Sequence, residues 1–387
     1  MKITEAITYV GVDDKTIDLF ENQYIVPNGI SYNSYLIMDE KVVLMDTVDI
    51  RGLEQWKENV EAALGGRDID YIVVSHMEPD HAGSLAYALE NYPNAKIVGN
   101  AKTFTFLSQF FTLDVTDRKI EVKEGDVLDL GTRKLTFMMA PMVHWPEVMV
   151  SYESTDKVLF SADGFGKFGA LDTDEDWACE ARRYYFNIVG KYGAPVQALL
   201  KKTAALDIQK ILPLHGPILT DNLEYYINLY NTWSSYTPEN KGVYIAYASI
   251  HGNTGKAAET LAEKIRELGE EKVVVADLSR EDIAECVEDA FRYDRMVLCS
   301  ATYDGNAFLP MEDFLHHLQI KTYQNRKVAL LENGTWAPMA AKSMRSYLES
   351  MKNITVIGET VSIKSTLKEG DMPAVEALAK AVVEAGK

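Results

Sequence analysis

Cysteine is scarce in this 387-residue chain, and the little there is does not cluster. Cys179, Cys286 and Cys299 stand far apart and form no CxxC pair, which argues against a disulfide framework, a rubredoxin-type iron centre and a cysteine-based zinc site. They read as buried thiols. Long apolar runs are missing too, so no membrane-spanning helix is expected. The N-terminus MKITEAITYVGV lacks the charged, apolar and small-residue zones of a secretory signal, which points to a cytoplasmic protein. Positive charge is in deficit: 39 Lys and Arg stand against 58 Asp and Glu, for a formal net charge of -19. That balance disfavours nucleic acid as a partner, because phosphate backbones are held by clustered Lys and Arg. No short-period repeat, low-complexity tract or GxxxxGK loop is found.

What is present has the balance of a folded protein, 47% hydrophobic and 25% charged, in a chain too long for one ordinary core. Its grammar changes near residue 240. Before that point, short strand-like runs are broken by turn signals: ITYVGV, SYNSYLIM, KVVLMDTV, YIVVSH, KIVGN, the alternating RKLTFMMA, VMVSYE and KVLFSAD. These predict two β-sheets with helices between and outside. After YTPENKG, residues 236–242, strand and helix alternate strictly, with strand cores VYIAYA, KVVVAD, RMVLCS, KVALLEN and ITVIGE. Five strands separated by amphipathic helices predict a doubly wound parallel sheet, closed by a last helix near DMPAVEALAKAVVEA. The chain reads as α/β, with one domain over residues 1–241 and another over 242–387.

In the first half, SHMEPDHAG, residues 75–83, gathers His76, Glu78, Asp80 and His81 between the apolar run YIVV and a helix beginning near GSLAYALENY. A loop fixed at both ends can converge its side chains on one point. His144 in APMVHWP, Asp163 in LFSADGFG and His215 in ILPLHG also follow strand-like runs, where loops collect at one edge of a sandwich. Any one of them alone is more simply a solvated loop residue or a satisfied core polar group. Seven in equivalent positions make a candidate metal centre.

The motif HMEPDH, followed by 62 intervening residues to His144, 18 to Asp163 and 51 to His215, resembles the signature of the flavodiiron proteins. Their N-terminal domain has the metallo-β-lactamase fold, an αββα sandwich, and a flavodoxin-like domain follows it, so the resemblance covers the whole chain. Zinc hydrolases of that fold read His-x-His-x-Asp-His in this loop, whereas Glu78 stands here in place of the second histidine. Mixed histidine and carboxylate shells suit oxygen-binding iron better than a mostly imidazole shell does, though zinc accepts both donors. The resemblance implies that His76, Glu78 and His144 hold one iron, that Asp80, His81 and His215 hold the other, and that Asp163 bridges them. Some members turn the histidine at the position of His81 away from the metal. The step to His215 is short for the family and implies a trimmed loop.

In the second half, SIHGNTG, residues 249–255, joins the strand VYIAYA to the helix TGKAAETLAEKIREL. Small residues, hydroxyls and backbone N–H groups at a helix N-terminus make an anion site. The run resembles the flavodoxin phosphate loop at Ser249, Gly252, Asn253 and Thr254, and departs from it at His251, where a threonine is usual and an imidazole N–H can serve as donor. SATYDGNAFLP and ENGTWAP follow the third and fourth strands, placing Tyr303 and Trp336 where this architecture binds a ligand. Two such rings can flank an isoalloxazine. The expected FMN contacts are Ser249, Ile250, His251, Gly252, Asn253 and Thr254 from the first loop. Thr302, Tyr303, Asp304, Gly305 and Asn306 come from the second, and Asn333, Gly334, Thr335 and Trp336 from the third. His316 and His317, on the helix MEDFLHHLQI, have no such company and read as structural or exposed.

Family resemblance implies reduction of dioxygen to water, of nitric oxide to nitrous oxide, or both, with FMN relaying electrons to the iron pair. An external donor is implied: rubredoxin, a deazaflavin coenzyme or a flavin reductase. So is a head-to-tail homodimer, or a dimer of dimers, that sets the FMN of one subunit beside the irons of the other. The alternatives are a dinuclear metal hydrolase with a flavin-binding accessory domain and a carrier that has lost its metals. Glu78 argues against the first and the full ligand set against the second. The residues do not choose between the two gases, because both need the same open diiron site.

Overall fold

In the strand Val42–Met45 all four side chains are buried, yet they serve two interfaces. Val43 and Met45 belong to a core shared with Phe137, Met149, Val158 and Phe160 of a second sheet, while Val42 and Leu44 point to the opposite face, as a period of two requires. A strand buried on both faces places the first sheet between a sheet and helices. The first sheet has six strands in the order Ile7–Tyr9, Tyr35–Met38, Val42–Met45, Tyr71–Val73, Lys96–Gly99 and Lys119–Glu121. The second has five, in the order Val127–Asp129, Lys134–Met139, Met149–Glu153, Val158–Phe160 and Lys210–Leu212.

Helices cover the outer faces. Leu53–Leu64 repeats Trp56, Val60 and Leu64 at a spacing of four, so one stripe is buried, and it stops at Gly65, whose φ of 57° suits glycine. Ala101–Phe110 begins at Asn100, whose side chain accepts from the N–H groups of Lys102 and Thr103. Along the second sheet, Lys202 of the helix Gly193–Thr203 donates to the carbonyl of Met139.

Strand directions explain where the loops fall. Val42–Met45 and Tyr71–Val73 are parallel, as are Val158–Phe160 and Lys210–Leu212. Lys134–Met139 runs antiparallel to Met149–Glu153, which runs antiparallel to Val158–Phe160, so the first and third of these share a direction. Within each sheet, the loops that follow these strands therefore emerge at one edge.

The second sheet system is parallel, in the order Val273–Asp277, Asn240–Ala248, Tyr293–Tyr303, Arg326–Asn333 and then the fifth strand. Strand order reverses beside Asn240–Ala248, the switch point at which doubly wound sheets bind ligands. Asn253–Glu267 and Met372–Ala385 pack together on one face; Ile283–Arg292, Leu309–Ile320 and Ala340–Ser350 line up on the other. The run ITVIGE, residues 354–359, is read as one strand but only Ile354–Val356 is extended, pairing with the start of Arg326–Asn333, while a further strand beyond the run, Val361–Ile363, pairs with its end. Gly358, at a φ of 68°, lies in the break. A short strand, Asn306–Ala307, folds back antiparallel on Thr302–Tyr303.

The computed structural model describes residues 1–387, which divide into two compact units. One comprises Met1–Tyr185 with Ala194–Asn231, the other Phe186–Gly193 with Thr232–Lys387. The second unit thus begins before residue 242 and recruits eight residues from far upstream. Phe186 stacks on Phe291 with ring centroids 4.2 Å apart, Asn187 Nδ2 donates to the carbonyl of Ala284, and Lys321 Nζ donates to the carbonyl of Asn187. Arg326, nearly inaccessible, donates to the carbonyls of Tyr236 and Tyr293 and ties the segment before residue 242 to the sheet. Replacing Phe186 with Ala should therefore loosen the second unit by about 3 kcal/mol, the usual cost of emptying a buried aromatic site. Hydrogen exchange should then accelerate in the helix Ile283–Arg292, and an unchanged exchange pattern would contradict the assignment.

Candidate metal centre and flavin cleft

The seven candidate ligands, spread over four loops, arrive at one place. His76, Glu78, His144 and Asp163 form one set and Asp80, His81 and His215 a second, with the potential ligand atoms of each set within 4.8 Å of one another. Asp163 joins the sets. Its Oδ2 lies 3.3 Å from His76 Nε2 and 3.2 Å from His144 Nε2, while its Oδ1 lies 3.2 Å from His81 Nε2 and 3.8 Å from His215 Nε2. Glu78 Oε2 closes the first set at 3.1 Å from His76 Nε2 and 3.0 Å from His144 Nε2. Asp80 Oδ2 closes the second at 3.3 Å from His81 Nε2 and 3.1 Å from His215 Nε2. His81 points into the centre.

These separations fit a shared cation. Two donors each about 2.1 Å from one ion and about 90° apart stand about 3 Å from each other. Both oxygens of Asp163, both oxygens of Asp80 and both ring nitrogens of His81 are buried without a hydrogen-bond partner. Buried polar atoms are otherwise almost always paired, so a cation in each set would supply what they lack. Charges respond accordingly. Burial opposes charge on His76, but Asp163, Glu147 and Glu78 outweigh it and hold the imidazole well above its ordinary range. His144 is likewise resisted by burial and lifted by Asp163 and Glu78 to about 9. Burial would raise Asp163, yet His76, His144 and His81 hold it well below the usual carboxylate range. Protons on the imidazoles thus occupy the role that a metal would take, and metal and proton compete for Nε2.

The loops are tied down by groups that sequence reading missed. Asp46 accepts from the N–H groups of Ser75 and His76, and Thr47 Oγ1 donates to the carbonyl of His81. Asn33 Nδ2 donates to the carbonyls of Pro213 and Gly216, and Tyr35 Oη to that of Pro213. His215 Nδ1 donates to the carbonyl of Ser31 at 2.7 Å, leaving Nε2 turned inward. Tyr230 Oη accepts from the N–H of Phe165 and braces the turn carrying Asp163. Backbone partners such as the Ser31 carbonyl carry no side-chain signal in a sequence.

In the second unit the three loops that follow the first, third and fourth strands line one cleft of about 510 Å³. Of the expected contacts, Ser249, Ile250, His251, Asn253, Thr254, Thr302, Tyr303, Asp304, Gly305, Asn333, Gly334, Thr335 and Trp336 line it. Gly252 and Asn306 do not. Gly252, with a φ of 84°, is the turn residue that caps the helix Asn253–Glu267, and Asn306 is exposed on its short strand. Sequence reading missed Ala301, Ala337, Met339 and Ser365. No side chain caps that helix, and Ser249 Oγ is buried nearby without a partner, so the N–H groups and the hydroxyl suit an anion. Trp336, 89% exposed, and Tyr303, 42% exposed, are not covering core. His316 is exposed, and His317 bonds to the carbonyl of Asp313 on its own helix, as expected of residues outside any site.

A metal centre on a β-sandwich edge, joined to a phosphate-type loop on a parallel sheet, defines a metallo-β-lactamase-like domain fused to a flavodoxin-like one. Family models agree: the ODP family beta lactamase matches residues 30–216 and flavodoxin matches residues 245–385. An anaerobic nitric oxide reductase flavorubredoxin of Aliivibrio salmonicida is 30% identical over 368 residues, 92% of this chain and 73% of that protein. Among solved structures, rubredoxin oxygen:oxidoreductase from Desulfovibrio gigas aligns with a TM-score of 0.93 at 27% identity, covering 100% of this chain and 98% of that one. The flavodiiron protein from Giardia intestinalis, at 24% identity, shares the fold with a TM-score of 0.90, over 100% of this chain and 97% of that one. The chain belongs to the flavodiiron protein family.

Asn333 holds the cleft together: its Nδ2 donates to Thr254 Oγ1 and to the carbonyl of Ser365, and its Oδ1 accepts from the N–H of Ser365. Replacing it with Ala should untie its loop from those of Thr254 and Ser365 and weaken FMN binding by on the order of tenfold or more, as loss of these three hydrogen bonds implies. Titration of flavin-free protein with FMN, followed by fluorescence quenching, measures this.

Proposed function

We propose that this protein is a flavodiiron reductase that delivers electrons from an external donor, through FMN, to dioxygen, nitric oxide or both. One observation carries the reading: two ligand sets share Asp163, with one of its oxygens facing each. When bound, the iron pair supplies a ferrous–ferric couple with open positions for a small diatomic gas, and FMN takes up electrons in pairs and yields them singly.

The residues divide the work. His76, Glu78 and His144 would hold one iron, Asp80, His81 and His215 the other, with Asp163 between. Glu78, Asp80 and Asp163 contribute three negative charges, which offset most of the charge of two ferrous ions. Ligands are not equally enclosed: the side chains of His76, His81, Asp163 and His215 are at most 1% exposed, whereas those of His144, Asp80 and Glu78 are 9%, 11% and 15% exposed. A substrate would approach past those last three, the ligands least enclosed by protein. In the second unit the helix N-terminus and Ser249 would take the FMN phosphate, and Tyr303 and Trp336 would flank its ring. Ile250, Tyr303, Leu309 and Trp336 all stay exposed, which supports a covered cleft in a head-to-tail assembly. No helix is long and apolar enough to cross a membrane.

Protein produced anaerobically with ample iron should carry about two irons per chain, as two three-residue sets sharing one bridge require. Two zinc ions with activity retained would instead support a hydrolase. Parallel turnover assays of the reduced enzyme with dioxygen and with nitric oxide identify the substrate, and failure with both would refute the reading. In Asp163→Asn the side chain keeps its size but loses the charge that serves both sets. Gas turnover should fall by on the order of a hundredfold or more while chemical reduction of the flavin persists. Near-normal turnover with two irons bound would remove Asp163 from the bridge.

A further inference from the structure

We infer that Glu147 is a positioning residue for His76, and that it makes the half of the centre built from His76, Glu78 and His144 the tighter metal site and the more readily oxidised one. The inference rests on the diiron reading above. Glu147 is fully buried and has no place in the ligand set. Its Oε1 accepts from His76 Nδ1 at 2.7 Å and from the N–H of Met77 at 2.9 Å, while Oε2 is buried with no partner. Asn100 Nδ2 donates to its backbone carbonyl, and Trp145 stands edge-on to the His76 ring at 5.2 Å. A carboxylate so placed is costly unless positive charge lies close by.

Donation from Nδ1 settles the tautomer of His76 and leaves the Nε2 lone pair facing Glu78 and Asp163. The two halves then differ in what supports their histidines. His76 leans on a carboxylate, His215 on the uncharged carbonyl of Ser31, and His81 Nδ1 on nothing. With Asp163 shared, the first half has Glu78 as a ligand and Glu147 on a ligand's ring, whereas the second has Asp80 as a ligand. The buried Asp46 near His81 is engaged by the N–H groups of Ser75 and His76. An imidazole hydrogen-bonded to a carboxylate is the more basic ligand, and the extra negative charge favours the more highly charged ion.

Full-length, flavin-loaded wild type, Glu147→Gln and Glu147→Asp decide this by iron release to a chelator and by an EPR-monitored redox titration. If the wild type binds no iron, the diiron reading fails and the inference with it. If it binds two, one iron of Glu147→Gln should be released on the order of 10- to 100-fold more readily while the other is unaffected. The separation between the two one-electron potentials should narrow in that variant, and Glu147→Asp, which keeps the charge, should restore it at least in part. A Glu147→Gln protein with both irons held as in the wild type and both potentials unchanged would overturn the inference, as would equal loosening of both irons. Should Glu147→Gln not fold, the wild type still tests it: the two irons must differ in chelator release and in potential, and equal behaviour overturns it.

Discussion

The carboxylate of Asp163 has almost no contact with water, and each of its oxygens faces a different pair of imidazoles. Burial alone would neutralise such a group; the histidines around it hold it charged. Four histidines can reach one carboxylate only if their loops come from both sheets and meet at one edge. That condition accounts for much of the first unit. The parallel pairing of Val42–Met45 with Tyr71–Val73, and of Val158–Phe160 with Lys210–Leu212, lets successive strands deliver loops to the same end. The core between the sheets then sets the distance across which those loops face one another.

Holding the loops in place has a conformational cost. Asp46, Met142, Ala162 and Phe165 all have left-handed backbone, with φ between 50° and 67°, and each lies in a loop that carries or supports a candidate ligand. Such residues cost about 1 kcal/mol or more apiece and persist where the surroundings leave no alternative. Here the surroundings are specific: Asp46 is locked by the N–H groups of Ser75 and His76, and Phe165 by Tyr230 Oη. Strain in the loops and order at the centre are thus two results of the same set of hydrogen bonds.

Much of this was legible in the sequence because the chemistry sits in side chains at strand ends. Histidine and acid after an apolar run is a visible signal, and all seven candidate ligands converge in the structure. The three cleft loops were visible for the same reason. Glu147 was not, since one acid at the start of the run EVMV looks like a solvated strand end, and nothing local says that its partner is His76, 71 residues away. The unit boundary was hidden differently. Phe186 lies in the aromatic run YYFNIV, and only tertiary packing on Phe291 assigns it to the second unit. The fifth strand shows the same limit, because the apolar run stops pairing after Val356 and the segment that pairs with the end of Arg326–Asn333 is Val361–Ile363, whose partners only tertiary structure assigns.

The two sites also differ in how far their protein walls enclose them, and the difference bears on specificity. The flavin cleft is open, with its aromatic rim in solvent and its floor pinned by Asn333, so a large flat group can enter and be held by loop backbone and ring faces. The metal centre is shut except beside Glu78, Asp80 and His144. On the proposed reading either gas would meet the same candidate ligands, of which Glu78, Asp80 and His144 lie nearest solvent. A preference between them would then be set by what the gas passes and by how protons and charge are supplied at the centre. Trp145 stands edge-on to His76 and next to His144, and Phe110 stacks on its ring at 6.5 Å while remaining 46% exposed. This aromatic wall runs from solvent to the ligand set, so on the proposed reading its shape and its apolar character are what a gas would meet before it reaches the seven ligands.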